Sequence, residues 1–455
     1  MLGELVRRGR PPRRRGGDDE WALRSAGGEA TGEGKTALGQ SGRGMLNPRN
    51  DSWFSSARYA GQRKVAAGVA LALVMLYVLA GGSGEGMDGG SGGVGRSGKQ
   101  DGRSGSGYGA VDDDGVLVAG ETRIKPSGKY DDTYPLGHGG GRGADGSASF
   151  VFAVVADMDQ ASKVEGKANA WSSILKIGRL TRSMSGKYDV TWVTQSRIES
   201  SLAVGGRSME LSALVAYNGG LWTCDDRTGV VYQLEAVLAG AEYTYTAVPK
   251  YILAEGDGET SKNLKCEWMS VKNGHLFVGG FGKEFVNDKD GSITSEGPMW
   301  VKLIDAEGRI EHVDWRDNYR LLRKATGTEH PGYLLHEAVM WHEPHGRWYF
   351  LPRRVSPDAY DEVKDERRGS NLVLSVPPTF KLGDVSSVHI GEIVPSHGFS
   401  AVRFVPGFPD EAVALKSVED AGIAETYIMV FNVKTGKVLM PETKFGDVKF
   451  EGIEF

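Results

Sequence analysis

The sequence predicts an all-β fold, a five-bladed β-propeller, preceded by a disordered N-terminus and one transmembrane helix. Three observations point there. Most of residues 1–149 of the 455-residue chain is low in complexity, which leaves about 305 residues to fold. A stretch of 18 residues near the N-terminus carries no charge. Beyond Phe150, short β-rich runs alternate with Gly, Asn and Asp turns and recur as five similar units.

Taken in order, residues 1–64 hold 13 Lys/Arg against 7 Asp/Glu, whereas the whole chain sums to −5, so a basic arm joins an acidic body. The run Arg7-Arg8-Gly9-Arg10-Pro11-Pro12-Arg13-Arg14-Arg15 resembles a nucleic-acid patch. Its position before an apolar segment favours another reading, a disordered cytosolic tail that binds no nucleic acid. Residues 65–82, VAAGVALALVMLYVLAGG, span about 27 Å as a helix, near the thinner end of a bilayer core. Arg58, Arg63 and Lys64 flank one side and Glu85 and Asp88 the other, which sets the N-terminus in the cytosol. A single-pass signal anchor of the type II orientation follows. Residues 83–127 are read as a flexible stalk; Gly81–Gly109 alone contains 14 Gly with no Gly-X-Y period, which excludes collagen and a packed core.

Residues 128–455 are the folded domain. The recurring runs start at Ser212, Glu267, Glu337, Ser400 and Glu451, spaced 55, 70, 63 and 51 residues apart. Units of this size hold about four short strands each, the pattern of a propeller. A two-sheet sandwich would leave the fivefold recurrence unexplained. The fifth unit has only Glu451 to Phe455 left, so Phe150-VFAVVADMDQ is expected to complete it and close the ring. Ala168–Leu180 is the best candidate for a helix. The chain has two Cys, Cys224 and Cys266, which allow at most one bridge, and nothing in the sequence requires it.

In a propeller the innermost strand of each blade runs along the central channel, so the five unit starts converge there. Three carboxylates at one axis would repel strongly unless a cation sat between them. Oxygen ligands without His or Cys suit a hard ion such as Ca²⁺ and argue against Zn²⁺. Other charged clusters end apolar runs. Asp157 and Asp159 follow VFAVVA, Asp225-Asp226-Arg227-Thr228-Gly229 forms a turn, Gly279-Gly280-Phe281-Gly282-Lys283 follows a strand, and Arg353-Arg354 ends RWYFLP. Carboxylates that activate water, beside cations that hold a polyanion, suit hydrolysis of phosphate esters or anhydrides with a metal as Lewis acid. Taken singly, each is also an ordinary turn acid or surface ion pair. Gly34-Lys35-Thr36 is not a phosphate loop, because no strand precedes it and its glycine spacing is wrong; no zinc-protease motif or serine nucleophile elbow occurs.

From about Tyr130 onward the chain resembles the calcium-activated nucleotidases, or calcium-dependent apyrases. The matching segments include AVVADMD, MELS, DDRTGVVYQLE, EWMSVK, GGFGKE, HPGYLLHE, RWYFLPRR, DERRGSNL, VPSHGFS, ALKS and PETKFGDVKFEGIEF. The resemblance implies a five-bladed propeller that hydrolyses nucleoside di- and triphosphates such as UDP and GDP, with Ca²⁺ in the central channel. It implies carbonyl ligands at Ser212 and Ser400 and carboxylate ligands at Glu267, Glu337 and Glu451, the same five unit starts. Asp157, Asp159 and Asp226 match its catalytic candidates, and Arg227, Lys283 and Arg353 would neutralise phosphates.

One departure stands out. The family pattern continues MELS with Asp, and here Ala213 takes that place. An acid there would steady a metal-bound water, so two readings follow: a slowed enzyme, or an inactive propeller that binds Ca²⁺ and nucleotide. The anchor implies a lumenal catalytic domain in the Golgi or endoplasmic reticulum, with release of a soluble form by stalk cleavage and homodimer formation both left open by the sequence.

Overall fold

A computed structural model of the chain describes residues 130–136, 143–239, 242–287 and 290–455. The expected tail, anchor and stalk at 1–64, 65–82 and 83–127 lie outside the described residues. Among the described residues no helix is long and apolar enough to cross a membrane.

Five four-stranded antiparallel sheets form the blades. Blade 1 is built from Lys449–Glu454, Ala148–Asp157, Trp171–Arg182 and Tyr188–Ser200, counted from the axis outward. Blade 2 comprises Leu211–Tyr217, Gly220–Asp225, Val230–Ala239 and Glu242–Ile252; blade 3 comprises Trp268–Lys272, His275–Gly279, Trp300–Ile304 and Ile310–Asp314. Tyr333–His342, Arg347–Ser356, Leu372–Val376 and Ser386–His389 make blade 4, and His397–Phe404, Glu411–Asp420, Ile423–Asn432 and Val438–Gly446 make blade 5. Each innermost strand packs on the innermost strands of both neighbouring blades, which closes the ring.

Closure happens as the sequence predicts. The C-terminal strand Lys449–Glu454 pairs with Ala148–Asp157, with Val154 opposite Ile453 and Asp157 opposite Lys449. The expected helix at Ala168–Leu180 is instead the third strand of blade 1, paired on one edge with Ala148–Asp157 and on the other with Tyr188–Ser200. Trp171, Ile174 and Leu175 fit a helical spacing, yet both backbone edges are satisfied by ladder bonds, and long-range pairing overrides the local pattern. A helix does form at Arg316–Thr326, closed by Gly327 in the left-handed region.

The apolar core is divided among the five blade boundaries. One cluster lies at each: Phe277, Trp315 and Trp348 between blades 3 and 4, Phe152, Leu415 and Phe450 between 5 and 1, and three similar ones at the others. Because a blade is covered on both faces, the inner strands Gly220–Asp225, His275–Gly279 and Lys449–Glu454 are buried at every position, and the charged residues among them are enclosed. The cysteines are joined, Cys224 to Cys266, in the cluster between blades 2 and 3.

All five innermost strands run the same way along the axis. Their first residues line one mouth of the channel, and their last residues, around Tyr217, Lys272, His342, Phe404 and Phe455, line the other.

Candidate active site

Four of the five unit starts share a backbone irregularity. The pairing register skips Ser212 on its strand, Glu337 on its own, Ser400 on the next and Glu451 on the last, so each is the extra residue of a β-bulge. Glu267 lies just ahead of its strand and donates its N–H to the Gly279 carbonyl at 2.8 Å. A bulge takes a residue out of the ladder and re-aims its groups, here four times around one axis. The result is that carboxylate oxygens of Glu267, Glu337 and Glu451 lie within 4.8 Å of one another. Ser212 Oγ donates to Glu451 at 3.3 Å and Ser400 Oγ to the Phe450 carbonyl at 3.0 Å, both in full burial. Burial, and next the charge of Glu337, pushes the Glu451 carboxyl up to about 8 although Lys449 and Arg353 oppose it. Burial likewise pushes Glu267 well above the usual range against the pull of Lys265. Three converging carboxylates, two buried and Glu337 half-buried, with no His or Cys among them, form an oxygen donor set that fits a hard divalent cation.

These carboxylates floor a cavity of about 680 Å³. Eight acidic and six basic residues line it, so the acids exceed the protein's own counter-charges. Asp157, Asp159, Asp226, Arg227 and Arg353 all stand in its wall. Lys283 does not; it lines an adjoining cavity of about 560 Å³ that shares Glu267, Glu337, Arg353 and Phe285 with the first.

The catalytic candidates differ in their surroundings. Asp157 is buried, accepting the Asp159 N–H at 2.7 Å and the Lys449 ammonium at 2.7 Å. Asp159, with φ of 45°, is partly exposed and meets Lys449 at 2.9 Å and Arg207 at 3.3 Å. Asp226 pairs one oxygen with Lys265, while its Oδ1 is buried without a hydrogen-bond partner. Burial pushes it up to about 6, Lys265 opposing and Asp157 and Asp225 adding. The turn is held instead by Asp225, whose carboxylate accepts N–H groups from Met209 at 2.8 Å and Arg227 at 2.9 Å. Gly229 ends it at φ +66°, where a Cβ would stand 2.6 Å from the Leu253 carbonyl oxygen.

The expected phosphate ligands divide as well. Arg227 is exposed at the rim of the cavity. The Arg353 guanidinium is shared by Glu337, Glu451 at 2.8 Å and Glu419 at 2.6 Å. Lys283 donates to the Glu284 carbonyl at 2.8 Å and faces the Tyr360 ring at 4.7 Å.

Five further residues belong to the site: Arg207, Glu210, Lys265, Glu419 and Lys449. Lys449 reaches Asp157, Asp159 and Glu419 together, and Lys265 joins Asp226 to Glu267, which it meets at 2.6 Å. Arg207 clasps both oxygens of Glu210 at 2.8 and 2.6 Å. A signal for two of them was present: Lys265-Cys266-Glu267 and Lys449-Phe450-Glu451 repeat a Lys-x-Glu pattern at two unit starts, and residues two apart in extended chain share a face. Ala213, next to the bulged Ser212, packs in the apolar cluster with Cys224, Cys266 and Met269.

A family model described as Apyrase matches residues 158–455. A rat protein named soluble calcium-activated nucleotidase 1 is 46% identical over 330 residues, covering 72% of this chain and 78% of its own length. An apyrase of the bed bug Cimex lectularius is 39% identical over 310 residues, covering 67% and 82%. The apyrase apy-1 of Caenorhabditis elegans is 38% identical over 317 residues, covering 68% and 85%. With that match over residues 158–455, the chain belongs to the apyrase family of nucleotide-hydrolysing enzymes.

Proposed function

We propose that the chain hydrolyses nucleoside di- and triphosphates, UDP and GDP among them, to the monophosphate and phosphate, and that it does so only with Ca²⁺. The observation that carries this is the convergence of Glu267, Glu337 and Glu451 on the floor of a cavity that also holds Asp226. The names of the rat and mouse relatives, calcium-activated nucleotidases, support the choice of ion. Glu267, Glu337 and Glu451, with the backbone at Ser212 and Ser400, would hold it. Bound there, Ca²⁺ supplies a concentrated positive charge against the phosphoryl oxygens.

The chain's own residues do the rest. Asp226 Oδ1, raised toward neutrality and unpartnered, takes the proton from the attacking water. Lys265 holds the other oxygen of the same carboxylate and so orients it. Arg227 at the rim meets the phosphate charge, and Lys449 and Arg353 offset the crowded acids as that charge arrives. Asp157 and Asp159 position Lys449. In the cell, residues 65–82 would anchor the enzyme with residues 128–455 in the lumen of the Golgi or endoplasmic reticulum, where glycosyl transfer leaves nucleoside diphosphates.

The test is phosphate release from UDP, GDP and ATP by the purified full chain, first with Ca²⁺ and then with a chelator in excess. Turnover should vanish on chelation and return with Ca²⁺. Activity indifferent to chelation would sink the mechanism.

A further inference from the structure

We propose that the Cys224–Cys266 disulfide is a positioning clamp for the active site, which holds Asp226, Lys265 and Glu267 in register across the boundary between blades 2 and 3. The assignment of roles to Asp226 and Glu267 rests on the function proposed above. Both cysteines of the chain are spent on this one bond, and both sit beside cavity residues. Cys224 is two positions before Asp226; Cys266 stands between Lys265 and Glu267. Because neighbouring side chains of extended backbone face opposite ways, Cys266 enters the buried apolar cluster while Lys265 and Glu267 line the cavity.

Among the described residues the bond is the covalent link across this boundary, beside softer polar contacts. On its own side, the Asp225–Gly229 turn is fixed to blade 2 by the Asp225 carboxylate and by the Asp226 N–H, which donates to the Glu210 carbonyl at 3.0 Å. Toward blade 3, the Asp226 side chain relies on Lys265, whose side chain is 44% exposed. A long, half-exposed lysine keeps much of its rotamer freedom and makes a soft link. The Leu253 N–H also reaches the Gly229 carbonyl at 2.9 Å, but Leu253 belongs to the connecting loop and not to the strand that follows Glu267. The disulfide ties the end of the strand that leads into the turn covalently to the residue next to Glu267, with the two Cα atoms 6.3 Å apart. It therefore sets the distance between the proton acceptor and the carboxylates at the axis.

The experiment compares the full-length wild type with a Cys224→Val, Cys266→Ala double variant by calorimetric titration with Ca²⁺ and by steady-state hydrolysis of UDP. Expected are cooperative melting, Ca²⁺ affinity weaker by about tenfold, and kcat lower by about tenfold with KM nearly unmoved, at the low end of what supporting groups around a metal site produce. Wild-type protein reduced by dithiothreitol, whose two thiols close to a cyclic disulfide as the bridge opens to two thiols, should show the same shifts and lose them on reoxidation. A lowered melting temperature with Ca²⁺ affinity and kcat unchanged would make the bond a stabiliser only and overturn the proposal. If the double variant does not fold, the reduced wild type decides: with two titratable thiols and undiminished Ca²⁺ affinity, it overturns the clamp. The Ca²⁺ titration needs no turnover, so a wild type that hydrolyses nothing would end the catalytic reading without touching this test.

Discussion

At the scale of single residues, the chemistry turns on which of several acids is left incomplete. Asp157 has partners on both oxygens, whereas Asp226 has a buried oxygen with none. An Asp226→Asn variant should lower kcat by about 10²–10⁴, the range of a lost general base, and still bind Ca²⁺ by calorimetry. Wild-type turnover in that variant would remove Asp226 from the mechanism. Ala213 poses a separate question, since the family pattern has an acid where this chain packs a methyl group, 5% exposed, among apolar neighbours. Ala213→Asp should raise kcat by about tenfold, as an added group beside a metal site can. It should also lower the melting temperature, because a carboxylate then enters an apolar boundary. A variant that stays inert would support a propeller that binds without turnover.

At the scale of elements, the loop from Gly279 to Glu284 shows how a helix outside the blades steadies the channel. Gly282, at φ +75°, lies where a Cβ would stand 2.5 Å from the Tyr319 ring, so the loop can approach the helix only with glycine there. Arg323 of that helix then grips Glu284 through two bonds of 3.1 and 2.8 Å, and His330 adds a third contact at 3.1 Å. Burial disfavours the Glu284 carboxylate, but Arg323 outweighs it and brings the group down to about 2 from 4.5. A depressed carboxylate stabilises the fold above its unfolded value and loses that contribution as pH falls through the folded one. Stability should therefore drop by about 3 kcal/mol between pH 4.5 and 2 on account of this group. In Glu284→Gln the drop should be smaller, and the variant should be weaker than wild type at pH 7 by about 3 kcal/mol, because Arg323 is left buried without its partner. Denaturant melts across that pH range would show it; parallel curves for the two proteins would refute the pairing.

At the scale of the whole molecule, one short strand both closes the ring and completes the site. Lys449–Glu454 supplies the inner strand of blade 1, the Glu451 carboxylate and the Lys449 ammonium. Deleting residues 449–455 should leave the edge of Ala148–Asp157 open and abolish cooperative melting and Ca²⁺ binding together. A deletion that melts like wild type and loses only Ca²⁺ would show that the ring holds without its closure.

The sequence by itself determined the strand-rich body, its five units, the strand that closes them and the five residues at the axis. Each of these repeats or alternates along the chain, and repetition is visible without coordinates. The strand at Trp171–Arg182 was not legible, because its apolar spacing suits a helix equally well and only its two hydrogen-bonded neighbours settle it. Nor were Glu419 in blade 5, or Arg207 and Glu210 in the segment before blade 2, which stand outside the pattern that the unit starts share. Only the tertiary structure decided that Arg353 is embraced by three acids, that Lys283 belongs to the adjoining cavity and that the two cysteines meet behind Asp226. The physical reason is the same in each case: a side chain's partner depends on how neighbouring blades pack across their boundary, and residues that meet there can be far apart in the chain.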